Sequence, residues 1–345
     1  MKRSAPRFAV PLVVLVSVAA LTAHAMEALP RSPRVPANNP STPAKLALGQ
    51  QLFFDPRISL TGTVSCNSCH NVMAAGEDGR PVSLGVAGRK GGRSAPTVWN
   101  AAYLSVQFWD GRARSLEAQA RGPMTNPVEM GMADHASVIR RIDAIPGYRR
   151  SFREAFGGGN PVTIDHVAMA IAAYERTLVT PNSPFDRYLA GDKTALSASA
   201  ERGMRLAESV GCTACHNGPV FAGPSLPDGD GYYMMFPIKT TAAYEARYHL
   251  SEDPGRYTLT RVAADRNTWR VQQWRNVALT APYFHNGSVP TLDEAVRVMA
   301  RTQLGRDLSP AQVADLVAFL GSLTGEFPRQ SMPRLPEMPG RSAID

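Results

Sequence analysis

Cysteine is scarce in this chain of 345 residues: there are four, and none precedes Cys66. That excludes a lipid-modified anchor near the N-terminus. Long apolar runs are also missing. The one candidate, Phe8 to Leu21, is too short to span a bilayer comfortably, and nothing later is apolar enough to try. No basic run is interleaved with aromatics, which argues against nucleic acid as a partner. Strand-like alternation is sparse, so an all-α fold is expected.

What is present begins with an address. Lys2, Arg3 and Arg7 precede the short apolar run, and Ala23-His24-Ala25 offers a small-x-small cleavage site. Residues 1–25 are therefore expected to be a cleaved signal peptide. The formal charge of +8 overstates the mature protein. Without those three cations, 34 basic residues (37 less 3) face 29 acidic ones. Hydrophobic content of 44% is ordinary for a globular protein, and the length suffices for two domains.

The four cysteines fall in two motifs, Cys66-Asn67-Ser68-Cys69-His70 and Cys212-Thr213-Ala214-Cys215-His216. C-x-x-C-H is the attachment signature of c-type haem. Two thiols add to the two vinyl groups of one porphyrin, and the adjacent histidine is carried to the iron. A redox dithiol needs no adjacent histidine, and zinc wants a further pair of ligands nearby. Two covalent haems are expected, held by Cys66, Cys69, Cys212 and Cys215, with His70 and His216 as proximal ligands. Attachment of this kind occurs outside the bacterial cytoplasm, which suits export to the periplasm. Up to four haem propionates would bring the mature protein near neutrality.

Along the chain, residues 26–43 read as an extended arm. Helices are expected at Ala44–Phe54, from near Ser115, at Ala136–Ile145 and at Ile164–Val179. The Pro-rich break Thr180–Pro184 marks a domain boundary. Residues 217–268 read as irregular. Further helices are expected at Leu292–Ala300 and from Ser309-Pro310, a cap followed by proline at the first helical position. Gly203-Met204-Arg205-Leu206 leads into the second motif as Gly49-Gln50-Gln51-Leu52 leads into the first, a weak internal repeat. The expectation is two tandem cytochrome c-like domains, 26–180 and 181–325, with one haem each. A tail at 326–345 would pack on the body.

Several blocks together resemble the bacterial dihaem cytochrome c peroxidases. They are Arg93-Ser94-Ala95-Pro96-Thr97-Val98, Gln107-Phe108-Trp109-Asp110-Gly111-Arg112-Ala113, Pro127-Val128-Glu129-Met130, Ser183-Pro184-Phe185-Asp186-Arg187-Tyr188 and Thr280-Ala281-Pro282-Tyr283-Phe284-His285-Asn286-Gly287. The likeness runs from about Leu46 to Gly325. It implies an N-terminal haem that meets hydrogen peroxide and a C-terminal haem that takes electrons from a small cytochrome c or copper protein. It implies Glu129 as the group that moves a proton between the peroxide oxygens, with Gln119 as its hydrogen-bonding companion. It implies Trp109 as a relay between the haems and Met299 as the second ligand of the C-terminal iron. A His/Met pair raises a haem's potential. Read without the resemblance, Glu129 and Gln119 are surface polar residues, and Trp109 and Met299 are packing.

Two departures stand out. The family's distal histidine aligns with Val86, and no histidine lies between His70 and His135. Met73 and Lys90, in the same loop, are the substitutes at hand. The family also binds calcium through an asparagine and two carbonyls. The carbonyls correspond to Thr280 and Pro282, but the asparagine is Ser94, a weaker donor that leaves calcium open. His135, His166, His249 and His285 are given no role. The reading is a periplasmic dihaem peroxidase. Its rivals are a dihaem oxidase that modifies a partner protein, which Met299 opposes, and a non-enzymatic dihaem electron carrier. Stable membrane insertion is not expected. The oligomeric state is open, with a homodimer among the options.

Overall fold

The computed structural model describes residues 26–338 and 342; the expected signal peptide lies outside the described residues. The chain is helix-rich with few strands. Helix α1 (Pro43–Phe54) starts where Thr42 accepts a hydrogen bond from the Lys45 N–H, and proline sits at its first turn. It ends at Asp55, which goes on to cap the turn Pro56–Ile58. The short α2 (Cys66–Cys69) carries the first motif. Then come α3 (Leu116–Thr125), α4 (His135–Asp143), α5 (Pro146–Phe156) and α6 (Ile164–Glu175). The second half holds α7 (Pro184–Leu189), α8 (Ala198–Val210), α9 (Ala242–Tyr248), α10 (Tyr257–Thr260), α11 (Leu292–Met299) and α12 (Pro310–Gly321).

Three expectations need correction. Helix α4 stops at Asp143 rather than Ile145, and an unexpected α5 opens at Pro146, because proline at the first helical position loses no intrahelical bond. Helix α6 stops at Glu175 rather than Val179, where Thr177 and Leu178 turn back to the carbonyls of Tyr174 and Glu175. Residues 217–268 are less irregular than expected. They hold α9, α10 and β1 (Tyr233–Met235), which pairs antiparallel with β2 (Thr268–Arg270). Strands of three residues are too short to show alternation in sequence, and their pairing spans a long loop.

The two halves are built alike. Gly49 on α1 lies against α6, where a Cβ would collide with the Ala170 carbonyl. Gly203 on α8 lies against α12, where a Cβ would collide with the Asp315 carbonyl. Each glycine lets two helices cross closely. One apolar cluster gathers Leu48, Phe53, Trp99, Tyr148 and Ile171; another gathers Phe185, Phe221, Leu316 and Phe319. The resemblance sharpens between the helices. A bridge joins Gln107 to Ala113 and another joins Tyr283 to Val289, each partner 176 positions later (283 − 107, 289 − 113). Phe108 and Phe284 take the same left-handed turn, at φ 69° and 70°. Asn100 and Asn276 do so too, and both donate to the buried Thr180 hydroxyl, at 2.7 and 2.9 Å.

The ends of the described chain cross over. Residues 26–29 lie on the second half: Met26 bridges Gly218, the Leu29 N–H donates to Asp186, and Arg275 donates to the Glu27 carbonyl. The tail returns to the first half. Phe327 stands edge-on to Trp99 at 5.0 Å, and Gln50, Gln51 and Arg57 donate to the carbonyls of Ser331, Arg334 and Pro336. No helix among the described residues is long and apolar enough to cross a membrane.

Candidate functional site

In each motif the fold half-buries the histidine and leaves one ring nitrogen for other work. His70 follows α2 and sets Nδ1 3.0 Å from the Pro96 carbonyl. His216 follows the turn Cys212–Ala214 and sets Nδ1 3.1 Å from both the Phe221 and the Gln272 carbonyls. Gln272 is the 176-position counterpart of Pro96 (272 − 96). A carbonyl on Nδ1 makes it the donor and presents Nε2 as a neutral lone pair, the usual second-shell arrangement of a metal-bound histidine. Burial pushes the His216 pKa down to about 4 and lowers that of His70 as well. Burial disfavours the charged form of both rings.

Burial raises the Cys212 thiol to about 11 and pushes Cys66, Cys69 and Cys215 up as well. A reactive dithiol needs a lowered pKa, so this setting disfavours redox exchange. Among the described residues, no three of His, Cys, Asp and Glu gather as a metal cluster, so the zinc alternative gains no support. Around the second motif the lining suits a flat apolar group. A cavity of about 280 Å³ is lined by Cys212, Cys215, His216 and Met299, with Leu316 and Phe319 among its apolar walls. Thiols, imidazole and thioether thus face one space. Met299 ends α11 just where a π-helical turn, Ala300–Leu304, begins. Such turns often accompany functional sites.

Trp109 lines the same cavity, at the tip of the first bridged loop, and its Nε1–H donates to the Ser94 carbonyl at 2.8 Å. Its counterpart at the tip of the second loop is His285. The two rings meet edge-to-face at 6.3 Å. The backbones are exchanged as well: the Ser94 N–H donates to the His285 carbonyl at 2.7 Å, and the Arg270 N–H to the Trp109 carbonyl at 2.9 Å. Ser94 and Arg270 are themselves 176 apart (270 − 94), so this crossing point is a pseudo-twofold. Trp269 stacks on His285 at 4.2 Å, and Arg93, paired with Asp110 and Asp253, lies over Trp269. His285 and Trp269 were missed in sequence because a buried histidine and a short strand carry no distinctive spacing. Ser94, Thr280 and Pro282 line this cavity too.

Near the first motif, the structure brings Val86 and Glu129 together. The Val86 N–H donates to the Glu129 carbonyl at 2.8 Å, and Val86 is buried. Gly85 packs so closely on Val128 and Glu129 that a side chain there would collide with their carbonyls. A Leu84–Lys90 bridge closes the loop. The Glu129 carboxylate is close enough to Cys66 and Cys69 to raise both thiols. Its own pKa is raised by burial, against the pull of Arg112 and Asn126. Gln119 sits on α3. Asn126, the C-cap of α3, donates to the carboxylate at 2.7 Å. It stands three residues from Glu129 in a tight turn, which places its amide within reach.

Comparison with known proteins identifies relatives along most of the chain. A family model described as di-haem cytochrome c peroxidase matches residues 43–194, and a RoxA-like cytochrome c-like model matches residues 277–304. A cytochrome c551 peroxidase of Pseudomonas aeruginosa is 46% identical over 84% of this chain and 81% of its own length. A methylamine utilization protein MauG of Methylorubrum extorquens is 37% identical over 89% of this chain and 86% of its own. The crystal structure of a MauG-like protein associated with microbial copper homeostasis superposes with a TM-score of 0.76 at 31% identity, covering 86% of this chain and 95% of that one. On that similarity along most of its length, the chain belongs to the di-haem cytochrome c peroxidase family.

Proposed function

We propose that this protein is a periplasmic dihaem peroxidase that reduces hydrogen peroxide to water with electrons from a small cytochrome c or copper protein. When bound, the two haems supply the electron chemistry. The chain's own residues do the rest. Cys66, Cys69 and His70 hold one haem; Cys212, Cys215, His216 and Met299 hold the other. Glu129 accepts a proton from the near peroxide oxygen and delivers it to the far one, and Asn126 fixes its carboxylate. Gln119, on α3, is the further hydrogen-bonding companion proposed for Glu129. Trp109, anchored through Nε1, spans the crossing point of the two halves and gives electrons a rigid, oxidisable ring on the way. The Thr280 and Pro282 carbonyls with the Ser94 hydroxyl would offer calcium three oxygens, well short of the roughly six to eight it takes. Any calcium there would draw on water for the remainder.

The observation that carries the reading is Glu129 held beside Val86 near Cys66 and Cys69. Valine has no lone pair for iron, and the loop that bears it is pinned to Glu129. Met73 and Lys90 are exposed, so neither is packed at that place. With valine there and neither of those side chains packed beside it, a haem held by Cys66, Cys69 and His70 would keep a position open to peroxide. Rapid mixing of the fully oxidised protein with peroxide should give a prompt spectral change without prior reduction, followed by turnover when a reduced donor is added. An inert protein with two low-spin haems would count against the open site. Spectral change without donor turnover would favour the partner-modifying oxidase.

A further inference from the structure

The pseudo-symmetry supplies an internal control for the two histidines. Pro96 and Gln272 hold Nδ1 of His70 and His216 alike. Two positions beyond each carbonyl the halves part. The first half has Val98, a buried aliphatic, and the second has Trp274. Both are fixed by backbone, the Val98 N–H to the Gly76 carbonyl at 3.0 Å and the Trp274 N–H to the Val220 carbonyl at 3.1 Å. The Trp274 indole lies nearly flat on His216, with centroids 4.4 Å apart and planes 19° from parallel. It is held there by Phe221, stacked at 5.6 Å, and by Phe319, edge-on at 6.4 Å. Among the described residues no aromatic ring lies against His70. The scaffold is the same; the ring is added on one side only.

We infer that Trp274 is a positioning residue for His216, which fixes the imidazole plane and lowers the reduction potential of the second haem. The inference rests on the haem reading above. An aromatic face is electron-rich, and a ferric iron shares its positive charge with the imidazole it binds. The face therefore favours the oxidised state. Arg275, next in the chain, lies over Phe221 and Phe185, but Asp186 at 2.8 Å compensates its charge. A thioether ligand such as Met299 pulls the other way and raises the potential. Trp274 trims that rise, so that electrons received at the second haem are passed on rather than held.

The test uses the full mature holoprotein. Redox titration that resolves the two haems is run on wild type, Trp274→Val and Trp274→Phe. Trp274→Val gives the second half the residue of the first. It should raise the second potential, by roughly a fivefold shift in the reduction equilibrium, and leave the first unchanged. Trp274→Phe keeps a ring face and should stay near wild type. An unchanged second potential in Trp274→Val, with both haems attached, overturns the inference. So does a fall, which would report water entering the site. Haem stoichiometry separates the two levels: a wild-type protein without haem at Cys212 and Cys215 overturns the haem reading itself.

Discussion

Glu129 shows how a single carboxyl is tuned by what surrounds it. Burial raises its pKa above the ordinary 4.5, while Arg112 and Asn126 pull it down. A proton acceptor must be ionised, so its contribution is present above its pKa and lost as pH falls through it. If Glu129 carries the proton, the raised value should place the acid limb of kcat/KM above the usual carboxylate range. Arg112→Ala removes a cation that favours ionisation, and a pH profile should show the limb moving to higher pH. Glu129→Gln should keep both haems and lower peroxide turnover about a hundredfold or more; near-normal turnover would remove Glu129 from the mechanism. At this scale the sequence was legible where chemistry imposes a spacing, as at Cys66, Cys69 and His70. It was silent where tertiary contact decides. Asn126, His285 and Trp274 gain their meaning only from what the fold sets against them.

The last helix was legible because the cap at Ser309 announced it, and the structure shows the same device at two others. Thr42, Ser115 and Ser309 each accept from the N–H three residues on, a local pattern with a local cause. Helix α5 was hidden because proline both ends and begins helices. β1 and β2 were hidden because their pairing is non-local. The tightest elements are the two glycine crossings. At Gly203 the α8 backbone lies directly on α12, and at Gly49 α1 lies on α6. Gly203→Ala forces those helices apart. It should destabilise the second half by about 1–3 kcal/mol, the scale of overpacking in a dense core. Thermal unfolding of the holoprotein would show it as a lowered Tm. An unchanged Tm would mean that α8 shifts at no cost.

The whole molecule is tied by its own ends. The tail leaves the second half after Leu323 and lies on α1, with Phe327 against Trp99 and Pro336 against Gly147 of α5. Ending the chain at Gly325 should speed hydrogen exchange in α1 and α5 and leave α8 and α12 protected. Equal protection throughout would make the tail a passive cover. The opposite arm, from Met26 to Pro30, grips Asp186, Gly218 and Arg275 of the other half. A ribosome makes the arm early and those three partners long afterwards. The arm must then wait, partly unfastened, until Arg275 has been made. The molecule closes like a belt whose buckle lies far along the strap, and both C-x-x-C-H segments are synthesised before it can be fully fastened.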